Sequence, residues 1–213
     1  MYTQHKWESD RYYNFKYTQY LPKEFDETKE YPLVFFLHGA GERGDDLEVA
    51  ARLGYMKYVR EEGKEYPFIC IAPQCPFNKY WGCYTESLLA FLDYILETLP
   101  IDKNRVYLTG LSMGGTGTWM LAMAAPEKFA AIAPICGSGI YWNAEILKNI
   151  PIFMYHGDCD ETVPISESIN MLKAINSIGG NAQLKICYGV NHNAWDCAYT
   201  DTALIDWMME QHL

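Results

Sequence analysis

The chain has 213 residues, 49% of them apolar and 21% charged, with a formal net charge of −10. Length and balance predict one soluble domain over residues 1–213. The acidic excess disfavours polyanions, no basic stretch suits nucleic acid or an anionic membrane, and no apolar run reaches the ~20 residues that span a bilayer.

The N-terminal segment Met1 to Asp10 is polar and does not read as a signal peptide. Tyr12 to Tyr20 alternates apolar and polar residues and predicts an early edge strand. Continuous apolar runs follow at Leu33–Leu37, Phe68–Ala72, Val106–Leu108, Ala131–Ile135, Ile152–Tyr155 and Leu184–Cys187. Such runs suit strands covered on both faces. Helical spacing separates them. Leu88, Phe91, Leu92, Ile95, Leu96 and Leu99 form one apolar stripe, ended by Pro100. Met113–Ala124, Ile165–Ile178 and Ala203–Met209 predict three more helices. The alternation predicts an α/β fold with a mostly parallel sheet and helices on both faces. In such sheets, ligands bind beyond the carboxyl ends of the strands.

The seven cysteines stand at 70, 75, 83, 136, 159, 187 and 197. Several lie in strand-like runs and none forms a CxxC pair, which predicts free buried thiols, a cytoplasmic location and no metal site.

Three strand-end segments carry candidate chemistry. In the first, Val106–Gly115 (VYLTGLSMGG), a G-x-S-x-G joins a strand to a helix. A serine on such a turn projects its hydroxyl above the sheet, and the helix start supplies amides and a positive dipole end. Ser112 is the candidate nucleophile; the bland alternative is a glycine-rich structural turn. Gly110 and Gly114 remove side chains where strand and helix crowd.

In the second, Leu37–Gly44 (LHGAGERG), a glycine-rich loop follows the most apolar strand. Acyl transfer needs two donors aimed at a developing oxyanion, which predicts the amides of Met113 and Ala40. The phosphate-loop pattern is absent. His38 reads as a structural brace of this loop. Glu42 and Arg43 are candidate substrate contacts, or else a local ion pair.

The third requirement is a base with an acid to hold it. Chain order after an elbow serine is carboxylate, then histidine. His192, in the last strand-end loop (YGVNHNAWD), is the candidate base. His156 precedes the carboxylates and His212 sits at the end of the last helix. The segment His156–Pro164 offers Asp158, Asp160 and Glu161; Asp160 is preferred, with Asp158 its main rival as a residue that could bond turn amides instead.

Taken together, these stretches resemble the compact α/β-hydrolases of phospholipase/carboxylesterase, dienelactone-hydrolase-like or "predicted peptidase" type, relatives of polyhydroxybutyrate-depolymerase-like and feruloyl esterases. The resemblance rests on Pro32–Asp45, Ala72–Pro76, Arg105–Cys136, His156–Pro164 and Gly189–Tyr199, and runs from about Tyr31 onward. It implies a Ser112, Asp160, His192 triad, because Asp160 occupies the acid position of the family's HGxxD pattern. The nucleophile is serine, unlike the cysteine of true dienelactone hydrolases.

The segment between Ile135 and Pro151 is short, which predicts no large cap domain and an open site. Aromatic residues cluster in the strand-end loops: Tyr80 and Trp81, Tyr141 and Trp142, and Trp195 near His192. Trp81, Trp142 and Trp195 are candidate substrate-binding rings, for an acyl group or a sugar face. The function expected is hydrolysis of short acyl or aromatic acyl esters, including acetyl or feruloyl esters of plant polysaccharide fragments. The partner is a small-molecule ester, with no cofactor, no metal, no nucleic acid and no membrane. The alternatives are a serine peptidase of the same fold and a non-catalytic ligand-binding homologue.

Overall fold

The computed structural model describes all residues, 1–213. The apolar runs become the strands of one eight-stranded sheet. In chain order these are β1 (Tyr2–Lys6), β2 (Lys16–Tyr20), β3 (Tyr31–Leu37), β4 (Ile69–Pro73), β5 (Ile101–Leu111), β6 (Ala131–Ile135), β7 (Ile152–Gly157) and β8 (Ala182–Cys187). The spatial order is β1-β2-β4-β3-β5-β6-β7-β8. From β4 to β8 every pairing is parallel, while β1 and β2 run antiparallel at one side. The carboxyl ends of β3 to β8 therefore share one edge, and the three candidate segments leave from it.

Seven helices accompany the sheet: α1 (Leu47–Ala50), α2 (Gly54–Glu62), α3 (Thr85–Thr98), α4 (Met113–Ala124), α5 (Ser166–Ser177), α6 (Ala194–Thr200) and α7 (Thr202–Met209). Strand alternation divides the core in two. On one face, Leu33, Phe35 and Leu37 of β3 pack with Phe91 and Ile95 of α3, Trp119 of α4 and Met171 of α5. On the other, Val34 and Phe36 meet Tyr55 of α2, Tyr199 of α6 and Leu204 of α7. A central strand buried on both faces has no polar side to show, and this is why its run is continuous.

The strand within Tyr12–Tyr20 covers only Lys16–Tyr20 and is not the edge, because β1 pairs outside it. The side chains of β1 are mostly exposed, so its sequence carries no apolar period; backbone pairing alone makes it a strand. Phe15 turns inward onto Phe91, with ring centroids 5.7 Å apart, and does not continue the strand. The structure adds the short helices α1, α2 and α6 to the expected set. The β6–β7 connection holds only a 3₁₀ segment, Tyr141–Leu147, and no large cap covers the strand ends. No helix is long and apolar enough to cross a membrane.

Candidate active site

The elbow between β5 and α4 puts Ser112 at φ 54°, ψ −116°, a backbone state that L-residues avoid. The Ser112 amide donates to the Ile135 carbonyl of β6 at 2.9 Å, which fixes the turn from the neighbouring strand. The glycines on either side are required by space. A Cβ at Gly114 would collide with the Leu37 carbonyl and lie 2.7 Å from the His38 oxygen; one at Gly110 would lie 2.6 Å from the Leu37 oxygen. The elbow is thus pressed against the end of β3.

His192 reaches over from the loop after β8. Its Nε2 accepts from the Ser112 Oγ hydroxyl at 2.7 Å, and its Nδ1 donates to Asp160 Oδ2 at 2.7 Å. The Asp160 side chain is fully buried, and its Oδ1 accepts from the amides of Thr162 and Val163, each at 2.9 Å. Burial pushes the Asp160 carboxyl upward, but the hydrogen bonds from His192 and the two amides outweigh it and hold the group below its ordinary range. Asp160 is therefore a carboxylate, the form that accepts from an imidazole and stabilises it when charged.

The rival carboxylate points elsewhere. Asp158 Oδ1 accepts from the Gly189 amide at 2.6 Å and ties the β7 loop to the base loop. His156 is fully buried with Nε2 3.3 Å from Asp160 Oδ2. Its Nε2–H donates to the Val163 carbonyl at 2.8 Å, which leaves Nδ1 to accept from Ser168 Oγ at 2.7 Å. His156 thus packs behind Asp160 and does not face Ser112. His212 lies at the far end of the chain, beside Leu213, whose amide donates to Asn104 ahead of the apolar part of β5.

The glycine-rich loop lies over the elbow. A Cβ at Gly39 would sit 3.0 Å from Glu42 Oε2 and 3.7 Å from the Leu111 carbonyl. Ala40 opens a 3₁₀ turn, Ala40–Glu42, and Met113 opens α4. First-turn amides have no acceptor within their own helix. Buried His38 holds the loop: Nδ1–H donates to the Gly39 carbonyl at 2.6 Å and Nε2 accepts from the Cys75 amide at 2.9 Å. Burial lowers its pKa to about 4, so the ring is neutral. Glu42 also faces its own loop, and Arg43 ties that loop to the segment at Lys79 and Tyr80. Burial raises the Glu42 carboxyl despite the amides of Gly39 and Glu42 that favour its charge. Arg43 donates to the carbonyls of Ala40 at 2.8 Å and Lys79 at 3.2 Å, and its guanidinium lies 5.5 Å from the Tyr80 ring centre.

A cavity of about 340 Å³ opens beside Ser112, walled by Tyr80, Trp81, Cys83, Met113, Met120 and Val163. Its lining is almost wholly apolar. Of the predicted contact residues only Trp81 lines it. That ring is buried, and its Nε1 donates to the His38 carbonyl at 2.9 Å, so Trp81 also braces the loop. Trp195 packs edge-on against His192 at 5.4 Å, whereas Trp142 is 72% exposed on the β6–β7 segment and paired with Tyr141. Met120 went unforeseen, although a signal exists: Met113, Thr116, Gly117 and Met120 share one face of α4 by helical spacing, and all line the cavity.

Asp160, His192 and Cys136 present ligand atoms within 4.8 Å of one another. The set suits a metal poorly. The first two are bonded to each other, and burial pushes the Cys136 thiol up to about 12, against the thiolate that a metal requires.

The model of the phospholipase/carboxylesterase family matches residues 84–202, a stretch that holds the elbow, Asp160 and His192. The chain belongs to the phospholipase/carboxylesterase family. Among curated relatives, a probable feruloyl esterase C of Aspergillus terreus is 30% identical over 160 residues, covering 73% of this chain and 58% of its own length. An endo-1,4-beta-xylanase/feruloyl esterase of Xylanibacter ruminicola is 29% identical over 176 residues, covering 73% of this chain and 24% of that protein. The solved structure of a thermostable esterase superposes with a TM-score of 0.90 and 32% identity, over 100% of this chain and 63% of that one. This phospholipase/carboxylesterase-family chain thus has the α/β-hydrolase fold and spans less than two thirds of the length of these relatives.

Proposed function

We propose that the protein is a serine carboxylesterase that hydrolyses short acyl or aromatic acyl esters, with acetyl and feruloyl esters of plant polysaccharide fragments as the favoured class. One observation carries this reading: an uninterrupted hydrogen-bond chain, Ser112 to His192 to Asp160, that ends at an apolar cavity. A serine hydroxyl attacks a carbonyl only if its proton has somewhere to go, and the chain supplies that path.

In the proposed reaction Ser112 Oγ bonds to the ester carbonyl carbon while His192 Nε2 takes its proton. The oxyanion lies between the amides of Met113 and Ala40. Collapse of this intermediate breaks the bond to the alcohol, which leaves with the proton from His192. Water then repeats the sequence on the acyl-enzyme and frees the acid. Asp160 stabilises the imidazolium and fixes which ring nitrogen faces the serine. The apolar cavity suits an acyl group or an aromatic ring, and the feruloyl esterase relatives favour the ester class. Residues 1–213 act as one catalytic unit on small-molecule esters, and the free cysteines favour the cytoplasm.

Turnover of p-nitrophenyl acetate, p-nitrophenyl butyrate and methyl ferulate, with fluorophosphonate labelling mapped to Ser112, tests the proposal. No turnover of any of the three and no label on that peptide would refute it. Cleavage of peptides in preference to esters would favour the serine peptidase instead.

A further inference from the structure

Two non-glycine residues at the sheet's carboxyl edge hold positive φ on adjacent strands: Ser112 after β5 at 54° and Cys136 after β6 at 39°. Strain at the first has a reason in the elbow. The second closes the Arg105–Cys136 stretch with no role assigned to it there, and its side chain is fully buried. Its amide donates to the Tyr155 carbonyl of β7 at 2.9 Å, so the strained turn is pinned between β5 and β7. In that conformation the Sγ–H donates to the main-chain carbonyl of His192 at 3.3 Å, and the sulfur sits within 4.8 Å of both the Asp160 carboxylate and the His192 ring.

The remaining anchors of the base loop show why this contact matters. Gly189 is tied to Asp158, the Val190 carbonyl accepts from the Cys159 amide at 3.1 Å, and the Glu161 amide donates to Asn191 Oδ1 at 3.3 Å. All three run to the loop after β7. Asp160 holds the ring of His192, whereas the thiol of Cys136 holds its main chain, and it does so from just after β6, the strand that also fixes the Ser112 amide through Ile135.

We infer that Cys136 is a positioning residue for the reaction proposed above: its thiol fixes the His192 backbone relative to Ser112, so that Nε2 stays in line with the hydroxyl. Burial keeps the sulfur protonated, with the Asp160 charge adding to the effect and the Ser112 amide opposing it, so it remains a donor to the carbonyl. Its small volume is part of the role, since a larger group would displace the imidazole or the acid.

The inference rests on His192 being the base, and the test separates the two. Cys136→Ser, Cys136→Ala and Cys136→Gly are compared with the unmodified protein in kcat and KM for p-nitrophenyl acetate, in the rate of fluorophosphonate labelling, and in Tm. Alanine and glycine are expected to lower kcat and labelling rate about 10-fold, between the effect of one lost hydrogen bond and that of a misplaced base, with KM changed less than about 2-fold. Serine keeps an O–H donor of similar size and is expected to stay within about 3-fold of the unmodified kcat. Glycine accepts φ 39° without strain and carries the comparison if alanine does not fold. Unmodified kcat in the alanine and glycine variants, or serine falling as far as they do, overturns the inference. His192→Ala is measured alongside. If it retains turnover, the base assignment itself fails; if it is inactive while Cys136→Ala is unimpaired, only the positioning role fails.

Discussion

The elbow at Ser112 and the base loop at residues 188–193 meet across 2.7 Å but are built in opposite ways. The elbow is held by what its neighbours exclude: glycine at 110 and 114 lets three main-chain segments touch, and any side chain there would meet backbone. The base loop has room. Nothing lies within 4 Å of a Cβ at Gly189, and the loop keeps its shape through hydrogen bonds to Asp158, Cys159, Glu161 and Cys136. One half of the site is therefore specified by local steric demand and the other by tertiary contacts. Their alignment depends on β6 and β7, which lie between the strands that carry them.

The largest expected effect lies on the elbow. Ser112→Ala should lower kcat by roughly 10⁴- to 10⁶-fold with Tm little changed, measured on p-nitrophenyl butyrate. A variant keeping most of its activity would break the comparison at its root. Asp160→Asn should cost roughly 10³- to 10⁴-fold, because an amide there cannot enforce the ring orientation that the carboxylate imposes.

Stability distinguishes the two turns more directly. Gly114→Ala drives a methyl group into the Leu37 carbonyl and should cost more than about 4 kcal/mol in urea unfolding, or prevent folding. Gly189→Ala meets only the strain of φ 72° and should cost about 1 kcal/mol. Similar costs at the two sites would remove the distinction.

A pH experiment sharpens the account of the loop over the elbow. In the unfolded chain His38 takes up a proton near pH 6.5; in the folded chain burial delays this to about pH 4. Above 6.5 the ring is neutral in both states and its contribution is fully present. Between 6.5 and 4 only the unfolded state gains the proton, so stability falls on acidification, by about 3 kcal/mol from this group at pH 4. Asp160 adds to the loss at lower pH, since a carboxyl held below its ordinary range contributes stability that disappears as pH drops through its folded value. His38→Gln should remove about one proton's share of the slope between pH 4 and 6.5 in urea midpoints; an unchanged slope would show that His38 is not held neutral. The smallest effect is expected at Trp142, whose ring is largely exposed: Trp142→Ala should change stability by less than about 0.5 kcal/mol. A role in binding would then appear as a raised KM for a feruloylated oligosaccharide with no change for p-nitrophenyl acetate.

Much of the architecture was legible because burial on both faces of a sheet leaves a continuous apolar run. The runs at Leu33–Leu37 and Ala131–Ile135, and the helix Met113–Ala124, fall where strand, strand and helix occur. Strand β1 was not legible, since its exposed residues are ordered only by pairing with β2. Helix α6 has three buried residues, too few to establish a period.

The amino-acid order alone carried strands β3 to β8, helices α3, α4, α5 and α7, the strained serine turn and the pool of groups able to complete a site. It did so because glycine spacing and apolar periodicity are local properties that a chain carries before it folds. Tertiary contacts gave the two carboxylates their partners, sending Asp160, the preferred one, to His192 and its rival Asp158 to the Gly189 amide. They also turned Glu42 onto its own loop and Arg43 toward Lys79 and Tyr80, opened the cavity along α4 and brought the Cys136 thiol to the main-chain carbonyl of His192. Those choices hang on distances between residues up to 80 positions apart, set by strand order and register.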